Sequence, residues 1–182
     1  MKRLMIRLCG TFLFLALLVS CGKPDTKLIG IAKFVAHPAL DAVEKGIIDE
    51  IAKSKPEYKL DLQNSNADMS TAAQIAQRFK QEKVSVAVGI ATPTAQALAN
   101  QIKNIPVVFS AVTDPVSAGL VPSLEKGGAN VTGTSDMTPV RQQLDLLRAL
   151  QGNLKRLGHI YASGEANSAA IAKIVQAYCE EN

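Results

Sequence analysis

Tryptophan is absent from the 182 residues, aromatic side chains make up only 4%, and there are two histidines and three cysteines. With so few histidines and cysteines, no cluster with metal-ligand spacing can be drawn, and no metal or other cofactor is expected. The two histidines, His37 and His159, stand far apart, and no Gly-x-Ser-x-Gly elbow occurs, so acyl transfer by a nucleophilic serine lacks its parts. Gly127-Gly128 is not followed by the lysine and hydroxyl residue of a phosphate-binding loop, so phosphoryl transfer lacks its cradle. These absences favour binding over catalysis. A single-sign charge field is missing as well. The formal net charge of +4 owes much to Lys2, Arg3 and Arg7, and the rest of the chain is close to neutral with scattered cations. Nothing in that distribution suggests nucleic acid as a partner.

No uninterrupted apolar run reaches the roughly 20 residues of a bilayer span. The longest, from Leu8 through Val19, is broken by Cys9, Gly10 and Thr11 and follows the basic residues just named. It reads as an export signal over residues 1–20. The run closes on Leu18-Val19-Ser20-Cys21, which resembles a bacterial lipobox. That resemblance implies that the Cys21 thiol carries lipid and becomes the new N-terminus, with residues 21–27 as a polar tether. Cys9 would depart with the signal, leaving Cys179 as a lone thiol with no disulfide partner.

Beyond the tether, strand-like and helix-like segments alternate. Strands are expected at Leu28–Val35, Tyr58–Leu62, Val84–Ile90, Ile105–Val112 and, shorter, Asn130–Thr134. Helices are expected from Pro38, with Leu40, Val43, Ile47 and Ile51 on one face, over about 70–81, with Ala72, Ile75, Ala76 and Phe79 inward, and over about 93–103, with Thr92 as its cap. This alternation predicts a doubly wound parallel sheet over residues 28–134 in strand order 2-1-3-4-5. The pattern then restarts: a helix from Thr138-Pro139 carrying Val140, Leu144, Leu147 and Leu150, a strand over Leu157–Ala162, and a helix over Ser168–Glu180. Residues 135–182 therefore read as the opening of a second α/β lobe, the alternative being helices that simply pack on the first.

In such a sheet the ligand crevice lies beyond the carboxyl ends of the strands, where strand order reverses. Three loops fall on that edge: Ala36-His37-Pro38, Ala91-Thr92-Pro93-Thr94 and Val112-Thr113-Asp114-Pro115. Helix N-termini there offer unpaired N–H groups to an anion, and the Thr92 and Thr94 hydroxyls can donate to a carboxylate. Each residue also has an ordinary reading. His37 and Thr92 serve as helix caps, and Asp114-Pro115 initiates a turn.

His-Pro-Ala-Leu-Asp after the first strand, Ala-Thr-Pro-Thr-Ala-Gln-Ala, Pro-Val-Val-Phe-Ser-Ala-Val-Thr-Asp-Pro-Val, Asn-Val-Thr-Gly and Ser-Gly-Glu-Ala-Asn-Ser together resemble the substrate-binding lipoproteins of ABC transporters, of the tryptophan/tyrosine-type permease binding component. The resemblance implies a periplasmic-binding-protein-like fold, with two α/β lobes joined by crossover strands and closing by a hinge on a small molecule, an amino acid or similar. It also implies a permease and its ATPase as partners, on the outer side of the cell membrane. By the same resemblance Thr92 and Thr94 would hold a ligand carboxylate, and Asp114, in the matching Thr113-Asp114-Pro115, would face the ammonium or line the cleft. Glu165, Asn167 and Ser168 would approach from the opposite wall and Val131-Thr132-Gly133 would lie at the hinge, while the loop positions at the strand edge add His37 to the candidate binding residues. Family members run on much further than this chain. A membrane-anchored sensing or partner-binding module is the competing assignment, alongside a non-functional fragment; a surface hydrolase ranks last for want of a nucleophile–base pair.

Overall fold

A computed structural model describes residues 27–182, so the expected export signal, Cys21 and nearly all of the tether lie outside the described residues. Among the described residues, five strands and five helices follow in chain order, alternating as far as β4: β1 (Leu28–Lys33), α1 (Pro38–Ser54), β2 (Lys59–Asn64), α2 (Met69–Glu82), β3 (Val86–Ile90), α3 (Thr92–Gln101), β4 (Val107–Val112), β5 (Val131–Ser135), α4 (Val140–Gln151) and α5 (Ala166–Glu181). All five strands are parallel and stand in the order β2-β1-β3-β4-β5, as the alternation predicts. No helix among the described residues is long and apolar enough to cross a membrane.

Each face of the sheet has its own core. Ile29, Ile31, Val88 and Ile90 point one way and meet Leu40, Val43, Ile47, Ile48 and Ile51 of α1. The other face carries Ala32, Ala87, Val107, Phe109 and Val112 against Ile75, Ala76 and Phe79 of α2 and Ala95 and Leu98 of α3. Phe79 is fully buried and packs over Gly30, where a Cβ would lie 2.7 Å from its ring. A side chain of that size contributes about 2–3 kcal/mol by burial alone.

Several strand boundaries move inward from the expected ones, three of them by two residues. β1 stops at Lys33, where the chain bends at Phe34 and Val35, β3 starts at Val86, and β4 starts after Pro106, which has no N–H to give. β4 also carries a bulge. Phe109 opposes Gly133 but Val112 opposes Ser135, so β4 spends one extra residue, with Ala111 at φ 53°.

The expected strand over Leu157–Ala162 does not form. Residues 154–162 are irregular and exposed, with Ile160 at 99% exposure and the rings of His159 and Tyr161 stacked at 6.0 Å. A strand needs a neighbour for its N–H and C=O groups, and none of the five described strands lies beside this segment. The expected inward row on α4 is likewise only partly used. Val140 is buried, whereas Leu150 is 75% exposed. α4 and α5 are fastened by a bidentate Arg141–Glu181 pair at 2.7 and 2.8 Å and by Tyr178 donating to Asp145 at 2.5 Å. α5 also touches α3, and Ala166 joins the core under that helix.

Candidate functional site

Because the sheet is parallel, every strand ends on the same edge, and hydrogen bonds tie the ends together. Phe34 N–H donates to the Ile90 carbonyl at 3.3 Å, Ala91 N–H to the Ser110 carbonyl at 3.0 Å, and Asp136 N–H to the Val112 carbonyl at 3.2 Å. The loops bearing His37, Thr92, Thr94, Thr113 and Asp114 are thereby brought side by side, with β1 and β3 adjacent at the strand-order reversal.

The loop after β3 is the most constrained. Its cap is Ala91, not Thr92; Thr92 is the first helical residue and is 2% exposed. Ala91 sits at φ 80°, ψ 157°, a region populated essentially by glycine, at a cost of about 1–3 kcal/mol. Three bonds hold it there: its N–H to Ser110, and its carbonyl accepting from Ala95 N–H at 3.1 Å and Thr94 Oγ1 at 3.0 Å. Thr94, fully buried, also donates to the Ile90 carbonyl at 2.6 Å. Its hydroxyl proton is spent inside the fold, which corrects the expectation that it donates to a ligand. The backbone is what this turn offers. The first intrahelical bond comes from Ala95, so the Thr92 and Thr94 N–H groups precede the ladder, and Pro93 has none to contribute.

Asp114 also has structural work. Its Oδ1 accepts from the N–H groups of Val116 at 3.1 Å and Ser117 at 2.9 Å, and its Oδ2 from the Ser117 hydroxyl at 2.5 Å. This is the turn-initiating role its dipeptide suggests. Partial burial pushes the carboxyl up, but the Ser117 hydroxyl and N–H and the Val116 N–H outweigh it and hold the group below its ordinary value. Its stabilisation is therefore full above the ordinary aspartate range and is lost as pH falls through the lowered folded value. Asp68, lowered mainly by the Thr71 N–H, acts in the same sense. Urea midpoints should fall steadily below about pH 4, and Asp114→Asn should flatten part of that decline; equal acid slopes for the two proteins would contradict it.

His37 is exposed and caps α1 through Nδ1, which accepts from Ala39 N–H at 3.2 Å. Thr113 gives its carbonyl to the Ser135 hydroxyl at 2.8 Å. Glu165, Asn167 and Ser168 gather at the start of α5, where Ser168 Oγ accepts from Ala162 N–H at 2.9 Å. Asn167 Oδ1 is buried with no hydrogen-bond partner among the described residues, an acceptor left for another donor to meet. Val131, Thr132 and Gly133 form most of β5, the edge strand. Beside it opens a cavity of about 240 Å³ lined by Phe109, Pro115, Val121, Leu124, Gly133 and Ser135, below the roughly 300–1,000 Å³ of a usual small-molecule pocket.

Lys33 is a participant that the sequence reading passed over. At the last position of β1 it is 7% exposed, and its ammonium donates to Asp41 Oδ1 at 2.5 Å and Glu44 Oε2 at 2.6 Å. The hydrogen bonds to Asp41 and then Glu44 raise its pKa despite burial, so this stabilisation persists below the ordinary lysine range and fades as pH rises through the raised folded value. Its two partners sit three residues apart on α1, a helical spacing that marks them as neighbours on one face. That pattern was readable; the burial of a lysine at the end of β1 was not.

Comparison with known proteins fits this geometry. Residues 28–182 match the family model described as ABC transporter substrate binding protein. A tyrosine-binding protein of Clostridioides difficile is 42% identical over 160 residues, 86% of this chain and 46% of that protein. The crystal structure of an ABC domain in complex with L-Trp from Streptococcus pneumonia is 42% identical, with a TM-score of 0.79, over 85% of this chain and 53% of that one. A ligand-free, open substrate-binding protein with adhesive properties from Clostridium difficile is 40% identical, with a TM-score of 0.66, over 85% of this chain and 54% of that one. The chain thus spans about half the length of the relatives it matches.

Proposed function

Because this chain belongs to the ABC transporter substrate-binding protein family, a family of binding proteins and not of enzymes, we propose that it takes part in capturing an aromatic amino acid for delivery to a membrane permease driven by an ATPase. The observation that carries the ligand class is the pair of relatives at 42% identity, one named for binding tyrosine and the other holding L-Trp. In this reading residues 28–134 are one lobe and residues 135–182 begin another, with Val131–Gly133 at the hinge. In the same reading the chain is exported and held at the outer face of the cell membrane through lipid on Cys21.

The N–H groups of Thr92 and Thr94, at the positive end of α3, receive the carboxylate. Asp114 draws the ammonium from the neighbouring turn, with His37 and Thr113 lining that wall, and Glu165, Asn167 and Ser168 close the far side. The unmet Asn167 Oδ1 supports this, since an ammonium or an indole N–H would satisfy it. The absence of tryptophan from the chain makes the test direct. Free L-Trp, excited where tyrosine does not absorb, is titrated with the full chain in mild detergent and its anisotropy followed. Saturable binding, weakened roughly tenfold by Asp114→Ala, is the expected result. No binding of tryptophan, tyrosine or phenylalanine overturns the reading.

A further inference from the structure

The four residues Phe34–His37, between β1 and α1, are pinned from several sides. The Lys33 carbonyl accepts from Ser65 N–H at 2.9 Å, and the Phe34 carbonyl from Ser65 Oγ at 2.9 Å and Ala67 N–H at 2.8 Å. At the helical end, the His37 carbonyl accepts from Asp41 N–H at 2.8 Å. Backbone bonds of this kind fix the ends of the loop but not the tilt of α1 against the sheet. That helix has no fully buried residue, and its apolar row rests only partly covered on the sheet. Besides the apolar contacts of that row with Ile29 and Ile31, the loop is spanned by the part-buried Lys33 ammonium, reaching eight residues to Asp41, half exposed, and eleven to Glu44, whose side chain is 18% exposed. A buried ion pair is weak as a source of stability but strict in geometry, because an apolar isostere can match its energy and not its direction.

We propose that Lys33 is a positioning residue of the ligand-binding edge, setting through Asp41 and Glu44 where the first turns of α1 and the His37 loop stand relative to the loop of Thr92. The inference rests on the amino-acid-binding reading for its ligand, and its structural half is measurable without one. The full chain is compared with Lys33→Met and Lys33→Arg by L-Trp anisotropy, urea midpoint and amide exchange at Ala39 and Asp41. Expected is a folded Met variant with affinity lower by roughly tenfold, faster exchange at both amides, and recovery to within about threefold in the Arg variant. A folded Met variant that binds as the parent does, with unchanged exchange, overturns the inference. If the parent itself holds none of tryptophan, tyrosine and phenylalanine, the ligand reading falls, and exchange alone decides: faster at Ala39 and Asp41 in Met and restored in Arg supports the positioning role, unchanged overturns it. Should the Met variant not fold, the Asp41→Asn, Glu44→Gln double variant removes the same contact from the helix side and is held to the same outcomes.

Discussion

Replacing Gly133 by alanine should remove β5 from the sheet and cost about 3 kcal/mol or more. A Cβ on Gly133 would stand 2.1 Å from the Phe109 carbonyl oxygen and 2.5 Å from Cγ of the Phe109 ring. The oxygen belongs to the backbone of β4, opposite Gly133 in the ladder, so it cannot swing aside as a side-chain tip would. The ring is 3% exposed and equally confined. The strand must therefore move by a large part of an ångström or detach, and with it go the bond from Asp136 to the Val112 carbonyl and the path of the chain toward α4. A urea midpoint in Gly133→Ala close to the parental value would show that this close approach is not what the sheet depends on. The control is Gly158→Ala, where nothing lies within 4 Å of the added carbon and stability should hold.

Gly89→Ala should be nearly as damaging, at about 2–3 kcal/mol, and should also weaken ligand binding. Its Cβ would meet Ala95 Cα at 2.8 Å and Ala95 N at 2.9 Å, both backbone atoms of the first turn of α3. That turn carries Thr92 and Thr94 and holds Ala91 in its strained conformation. Lifting α3 off β3 would loosen the Ala95-to-Ala91 bond that closes the turn. Amide exchange resolved by residue is the informative measurement. Increased exchange confined to residues 91–98 is expected, together with loss of L-Trp anisotropy. Uniformly increased exchange with unaltered affinity would mean that Gly89 supports the core without shaping the turn.

How much of this was legible in the sequence depends on the range of the interaction. The parallel sheet, its strand order, the inward rows of α1 and α2 and the meeting of the three loops follow from periodicity and topology rules, since side-chain spacing and crossover handedness are local or nearly so. The use made of individual polar groups was not legible. Thr94 follows a strand in a Thr-Pro-Thr run that promises free hydroxyls, yet its proton returns to Ile90 and Ala91. Ala91 carries no glycine signature, so the strain at that turn is invisible until Ser110 on the neighbouring strand is seen to hold it. Leu157–Ala162 reads as a strand from its place between two helices, but pairing is a property of two segments, and among the described strands none lies beside it.

The order of side chains along the chain by itself determined which segments become strand or helix, that the strands run parallel, and hence that every loop able to hold a ligand leaves one edge. These follow from the backbone's short menu of periodic forms and from the burial that each pattern demands. Only the tertiary structure decided which donors at that edge are already spent, that a lysine is buried against Asp41 and Glu44, and that α5 turns its first residue into the core beneath α3. Hydrogen bonds and ion pairs are short-ranged and directional, so their partners are settled by where distant segments come to rest.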